Sequence, residues 1–216
     1  MHNFIYVTKK ERAPVKIDLI AIIKRTQNLL RNDFTFRFDF VGSDRRNMVT
    51  YDSKTNIGYD FDVNLEINDD DCNYTPEEIK FKVMWALNKV IPQYGYDFAE
   101  DSTRVITIKF KDRKKPGILH SCDFAIVNNY IDEAGHKRQE YIHFNKMQHS
   151  YTWEEQPNGY YMLPQKEQWI KDSGYHSKLR GLYLEKKNKN QNPNKHSRSL
   201  YAEAVHEICQ RYGFYD

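Results

Sequence analysis

The stretch YDFDVNLEIN, residues 59–68, alternates without a break. Tyr59, Phe61, Val63, Leu65 and Ile67 fall on one face, and Asp60, Asp62, Asn64 and Glu66 on the other. A period of two is the period of a half-buried strand. Residues i and i+2 of a strand point the same way, so Asp60 and Asp62 project together while Phe61 anchors the opposite face. Upstream, FTFRFDFV (residues 34–41) alternates through Phe34, Phe36, Phe38 and Phe40 and runs straight into Gly42-Ser43. Downstream, CDFAIVNNYI (residues 122–131) reads as an apolar strand that carries one acid, Asp123.

Around this centre the chain divides into further elements. Pro14 is placed at a first turn, opening the helix VKIDLIAIIKRTQNLLRND, where Ile17, Ile20, Ala21, Ile23 and Leu30 recur at near-helical spacing. The polar segment from Asp44 to Gly58 predicts a short helix and then a loop. Thr75-Pro76-Glu77-Glu78 has the cap, proline and acids of a helix start, and that helix is predicted to reach about Gln93. RVITIKF (residues 104–110) predicts a strand joined to the Asp123 strand by the basic turn Lys111–Gly117, and QEYIHFN (residues 139–145) pairs with that strand as a hairpin across Asp132–Gly135. Beyond Ser150 the pattern turns helical: LPQKEQWIKDSG, HSKLRGLYLEKKNK and SLYAEAVHEICQRYG, with the Asn/Lys-rich loop 187–198 between the last two. This order predicts an α+β domain, a mixed β-sheet flanked by helices, over residues 1–160, and a small helical C-terminal part over 161–216.

Composition narrows the class. The chain has 216 residues, 16 Tyr, 12 Phe, 9 Gly and 7 Pro, enough aromatic mass to build a core and too little Gly and Pro for low complexity. No apolar run approaches the roughly 18 residues of a membrane span. No apolar segment follows a basic start, so a secretory signal is not expected. Three cysteines without CxxC spacing predict a reducing, cytoplasmic setting. The balance of 33 Lys and Arg against 30 Asp and Glu is too even to announce a nucleic-acid binder.

Three features carry candidate chemistry. Gly42-Ser43 follows a strand at a helix N-terminus, where backbone N–H groups, a positive dipole end and a hydroxyl suit a phosphate. Asp60 and Asp62 form a carboxylate pair on one face, and Asp123 is an acid in an apolar strand that can lie beside them. Mg²⁺ or Mn²⁺ takes oxygen ligands, usually one or two carboxylates plus substrate phosphates. Without a cation, three close carboxylates repel one another and raise at least one pKa. The plainer readings are a turn at Gly42-Ser43, a wet strand face at Asp60 and Asp62, and an ion pair at Asp123. The aromatic group Tyr151, Trp153, Tyr160, Tyr161 and Trp169 either stacks a base or forms core under a loop, the latter being the more frequent use. His120, His136, His143 and His149 lack zinc spacing and read as surface or packing histidines. GxGxxG, GxxxxGK[ST] and GxSxG are all missing from the sequence.

Taken together, FVGS, DFDV and CDFAIV resemble the nucleotidyltransferase pattern of the DNA polymerase beta superfamily. The long spacer between Ser43 and Asp60 is most similar to the oligoadenylate synthase and cyclic GMP–AMP synthase-like group, which includes bacterial cyclic-oligonucleotide synthases of anti-phage defence. The resemblance implies a nucleotidyltransferase palm that uses Mg²⁺ or Mn²⁺. Asp60, Asp62 and Asp123 would be its metal-binding and catalytic residues, and Gly42 with Ser43 would hold a nucleoside triphosphate such as ATP. A weaker match over residues 176–208 implies a triphosphate contact from Lys186 or Lys187, whose alternative is a solvated helix end. The sequence departs from the pattern after Ser43, where Asp44-Arg45-Arg46 stand in place of a second small motif. The function expected is transfer of a nucleotidyl group to an acceptor hydroxyl with release of pyrophosphate. The acceptor (nucleotide, RNA, protein or small molecule) stays open. The rivals are an inactive nucleotide- or RNA-binding protein on the same scaffold, and a toxin–antitoxin or assembly component with structural acids.

Overall fold

In the computed structural model, residues 2–214 are described except 56, 70 and 115. Asn56 of the predicted loop and Lys115 of the predicted basic turn therefore lie outside the described residues. The chain forms two compact units, one of Val7–Thr50 and Asn56–Gln156, the other of Met1–Tyr6, Tyr51–Thr55 and Pro157–Asp216.

The larger unit is a mixed sheet under helices. Strand β2 (Thr35–Val41) pairs antiparallel with β4 (Ile57–Asn68), β4 pairs parallel with β7 (Ile118–Ile131), and β7 pairs antiparallel with β6 (Ile106–Lys111) and, farther along, with β8 (Lys137–Asn145). Two short additions complete the sheet: β5 (Glu100–Asp101) beside β6, and β9 (Ser150–Glu155) beside β8. The helical pattern read beyond Ser150 thus gives way, for its first residues, to a strand. There Tyr151 stacks on Phe144 at 4.5 Å across the β8–β9 ladder, and cross-strand contact of this kind settles the conformation where local periodicity is weak.

Period two does the sorting of the sheet's faces. Phe61, Val63 and Leu65 of β4 and Cys122, Phe124 and Ile126 of β7 are all 2% exposed or less. They share one core with Leu19, Ile22 and Ile23 of α1 (Lys9–Leu30) and with Ile79, Val83 and Leu87 of α3 (Pro76–Val90). Burying a Phe or Leu completely contributes about 1.5–3 kcal/mol, so this face fixes the register: a slip by one residue would place the acids in the core. Helix α3 starts where its sequence says, with Thr75 and Glu78 in a reciprocal capping box. Helix α1 starts five residues before Pro14, because Thr8 and Glu11 form the same box, and Pro14 lies inside the helix.

In the smaller unit, helices α4 (Asn158–Asp172), α5 (His176–Lys189) and α6 (Ser197–Tyr212) bury Ile170, Leu179, Tyr183, Leu200, Ala204, Val205 and Ile208. The N-terminal strand β1 (Phe4–Tyr6), which sequence periodicity does not reveal, pairs with β3 (Thr50–Asp52). Its backbone is tied to α5, with Phe4 N–H donating to Asn188 Oδ1 at 2.6 Å. No described helix is long and apolar enough to cross a membrane.

Candidate active site

The face of the sheet opposite the core carries a polar row built by strand register. Asp62 of β4 is the parallel partner of Asp123 of β7, Asp60 is the partner of Ser121, and Thr107 of β6 is the antiparallel partner of Asp123. Adjacent strands lie about 4.8 Å apart, and residues i and i+2 about 7 Å apart. The three predicted acids therefore share one face, two of them side by side and the third one pleat away. Asp60 is exposed, while Asp62 and Asp123 are half-buried.

A turn from α2 (Gly42–Arg45) closes over this row. Gly42 has φ +58°, and a Cβ built there would stand 2.0 Å from Asp62 Oδ2 and 2.8 Å from Asp62 Cγ. Only glycine allows the backbone so near the carboxylate while holding a left-handed conformation. The Ser43 backbone N–H donates to Asp62, so one donor of the turn expected to face a phosphate is directed at a carboxylate. The turn itself is pinned from α1. Asp44, 6% exposed, accepts from Arg12 Nε at 2.7 Å and from Lys16 Nζ at 2.5 Å, and Arg12 also donates to the Val7 carbonyl and to Asn47. In the sequence Asp44 stands out only as a departure from the motif. In the structure it is the anchor of the turn, and Arg12, one helical turn into α1, gave no local signal of that role.

The electrostatics follow from crowding. Burial first, and then the charges of Asp60 and Asp123, push the Asp62 carboxyl up to about 6, against the opposing pull of Arg46 and the Ser43 N–H. Burial also raises Asp123, which the Thr107 hydroxyl and the Lys109 ammonium hold back. Thr107 Oγ1 donates to Asp123 Oδ1 at 2.6 Å. This acid thus takes a hydrogen bond from a neutral hydroxyl, where a buried acid often finds an arginine. Thr107 and Lys109 were legible as the polar positions of RVITIKF, but their register against Asp123 was not.

The donor set is carboxylate oxygen throughout, which is the chemistry of Mg²⁺ or Mn²⁺ sites. Its mutual repulsion is the kind a divalent cation relieves, and the missing side chain at Gly42 leaves Asp62 room to be approached. Among the described residues, no group of three His, Cys, Asp or Glu side chains is gathered so as to hold a metal ion as it stands. Side-chain rotation, most of all at exposed Asp60, would be needed to close a cage.

The remaining candidates lie elsewhere. Lys186 and Lys187 are on α5 in the smaller unit. Lys186 pairs with Glu207 at 2.7 Å, and Lys187, 9% exposed, sets its ammonium 4.2 Å over the Phe4 ring. The five aromatics of the predicted cluster are divided between the units. Tyr151 and Trp153 pack against the sheet core, whereas Trp169 meets Tyr175 and Phe214 in the helical unit. His120 stacks on Phe110 at 4.7 Å and meets Tyr59 and Tyr96, a packing histidine as expected.

No family model matches the chain, and no curated protein matches it in sequence. Solved structures match it in fold. The cyclic AMP-GMP synthase DncV of Vibrio cholerae, solved with a linear pppA(3′,5′)pG intermediate, aligns over 98% of this chain and 69% of its own, with TM-score 0.64 and 13% identity. CdnG, a CD-NTase of Bradyrhizobium diazoefficiens solved with GTP, aligns over 94% and 66% with TM-score 0.59 and 14% identity. The cyclic dinucleotide synthase CdnE of Elizabethkingia meningoseptica aligns over 93% and 70% with TM-score 0.51 and 12% identity. The chain spans about two thirds of the length of these structures. It has the α+β fold of the CD-NTases, the bacterial nucleotidyltransferases whose pattern its motifs resemble.

Proposed function

We propose that the chain is a metal-dependent nucleotidyltransferase that moves a nucleotidyl group from a nucleoside triphosphate to an acceptor hydroxyl. The observation that carries this reading is the register that seats Asp62 beside Asp123 on parallel strands, with Asp60 on the same face and Gly42 against Asp62. In the reaction the hydroxyl oxygen bonds to the α-phosphorus, the α–β bridging bond breaks, pyrophosphate leaves with the bonding electrons, and the hydroxyl proton is lost. Asp60, Asp62 and Asp123 would hold Mg²⁺ or Mn²⁺, which when bound supplies the positive charge that neutralises the triphosphate during an in-line displacement. Asp123, on the middle strand of the row, would favour ionisation of the acceptor hydroxyl. Gly42 and Ser43 would offer backbone and hydroxyl to the triphosphate. The protein's contribution is positioning and charge, as in phosphoryl transfer generally.

DncV and CdnG structures hold GTP, a linear dinucleotide or 3′-deoxy ATP, so ATP and GTP are the first substrates in this reading and a nucleotide messenger of anti-phage defence its product class. Residues 1–160 would carry the palm and 161–216 the helical addition, in a cytoplasmic protein. A second reading, a nucleotide- or RNA-binding protein without turnover, is favoured by the open arrangement of the three acids. Pyrophosphate release from the four nucleoside triphosphates, with Mg²⁺ or Mn²⁺, separates the two. Release lost in Asp62→Asn supports the enzyme, and nucleotide binding without release supports the binder.

A further inference from the structure

We infer that Thr107 is a positioning residue for Asp123: its hydroxyl fixes the orientation of that carboxylate without neutralising it, so that the full negative charge stays available to a divalent cation. The inference rests on the metal-site reading proposed above and adds to it a residue that no motif marks. Three observations carry it. Thr107 is the direct antiparallel register partner of Asp123 across β6 and β7, so both side chains rise from the same face at the closest cross-strand spacing. Its Oγ1 donates to Asp123 Oδ1 at 2.6 Å, the short end of the O–H···O range. The flanking residues Ile106 and Ile108 are fully buried, which holds β6 and therefore the hydroxyl in place.

The chemistry of the donor decides its role. A carboxylate turns freely about its terminal torsion unless one oxygen is held. A hydroxyl holds it with a single neutral dipole and leaves the other oxygen and the charge unspent. An ammonium or guanidinium at the same place would cancel the charge and compete with the cation. The nearest lysine on this strand, Lys109, makes its ion pair with Glu100 and reaches Asp123 through its field alone, so the bond to the carboxylate is the hydroxyl's. Groups that hold a metal ligand in this way typically matter about 10–100-fold in metal affinity.

The test compares wild type, Thr107→Val and Thr107→Ser. Valine keeps the branched shape and strand preference and removes only the hydroxyl; serine restores it. Mn²⁺ binding is read by electron paramagnetic resonance titration, with Mn²⁺ alone and with Mn²⁺ plus ATP, beside thermal unfolding without metal. The expected result is Mn²⁺ affinity lower by roughly 10-fold or more in Thr107→Val and within about 3-fold of wild type in Thr107→Ser, at matched unfolding temperatures. Equal affinity in all three proteins overturns the positioning role while leaving the metal site standing. Wild type that binds no Mn²⁺ under either condition overturns the metal reading, and the role of Thr107 with it. If Thr107→Val unfolds early, the serine variant decides: affinity lost there with the fold intact refutes the role assigned to the hydroxyl.

Discussion

Replacing Gly42 by alanine separates the cost of a strained backbone from the cost of a displaced carboxylate. At φ +58° an alanine pays the left-handed penalty of about 1–2 kcal/mol. Its Cβ would also lie 2.0 Å from Asp62 Oδ2, far inside contact distance, so the carboxylate or the turn must shift by roughly 1 Å. That shift breaks the Ser43 N–H bond to Asp62, a charge-assisted bond of about 1.5–3 kcal/mol, partly offset because the displaced acid escapes its crowding. The net loss is about 1–3 kcal/mol, or roughly 2–12 °C in unfolding temperature for a chain of this size. The effect on the site is larger, since a displacement near 1 Å costs about 100-fold in rate. Gly135 supplies the control. At φ +80° it has no atom within 4 Å of a built Cβ, so Gly135→Ala carries the backbone penalty alone. Thermal unfolding, Mn²⁺ binding and pyrophosphate release are measured on both variants. Gly42→Ala is expected to lose metal binding and turnover while Gly135→Ala keeps both; equal behaviour in the two would refute the close-approach argument.

Three further outcomes follow from named contacts. The Asp62 carboxyl is raised to about 6 in the folded chain, so its ionisation destabilises the fold as pH climbs from about 4 through 6; Asp62→Asn should then unfold higher than wild type at pH 8 by on the order of 1–3 kcal/mol, with the difference gone near pH 4. His120 is held neutral, chiefly by burial, with its pKa lowered to about 4; the stability this gives is present above about 6.5 and lost as pH falls toward 4, and thermal melts of His120→Gln should lack that dependence. Removing the carboxylate of the buried Arg12–Asp44 pair, as in Asp44→Asn, should cost about 3–5 kcal/mol in denaturant unfolding, because the buried Arg12 guanidinium is left without its counter-charge, whereas Arg12→Met should cost less because Lys16 still pairs with Asp44; a cost below 1 kcal/mol for Asp44→Asn would show that the pair does not anchor the turn.

The legible part of this protein was the part decided by period two. Residues 34–41 and 59–68 state their faces in sequence, and the sheet keeps them: Phe61 is fully buried and Asp60 exposed. The same pattern brought Asp60, Asp62, Asp123, Gly42 and Ser43 into one unit around one strand pair. What stayed hidden depended on pairs distant in the chain. Thr107 lies sixteen positions before Asp123 and acquires meaning only through cross-strand register. Arg12 meets Asp44 across thirty-two positions, by way of a helix packed on a sheet. Residues 4–6 and 150–155 are strands because neighbours pair with them, since their own sequences are too short or too mixed to declare a period. At Thr8 the signal was present: the Thr8–Glu11 box is written in sequence, and it overrides the preference of Pro14 for a first turn.

The central claim is that the acids on β4 and β7 serve nucleotidyl transfer, and one measurement addresses it most directly. Pyrophosphate release is followed with each of the four nucleoside triphosphates, with and without Mg²⁺ or Mn²⁺, for wild type and Asp62→Asn in parallel, with folding of both confirmed by thermal melts. The account predicts metal-dependent release by wild type with ATP or GTP, and none by Asp62→Asn at equal or higher unfolding temperature. Release of the same size in the folded Asp62→Asn protein would contradict it.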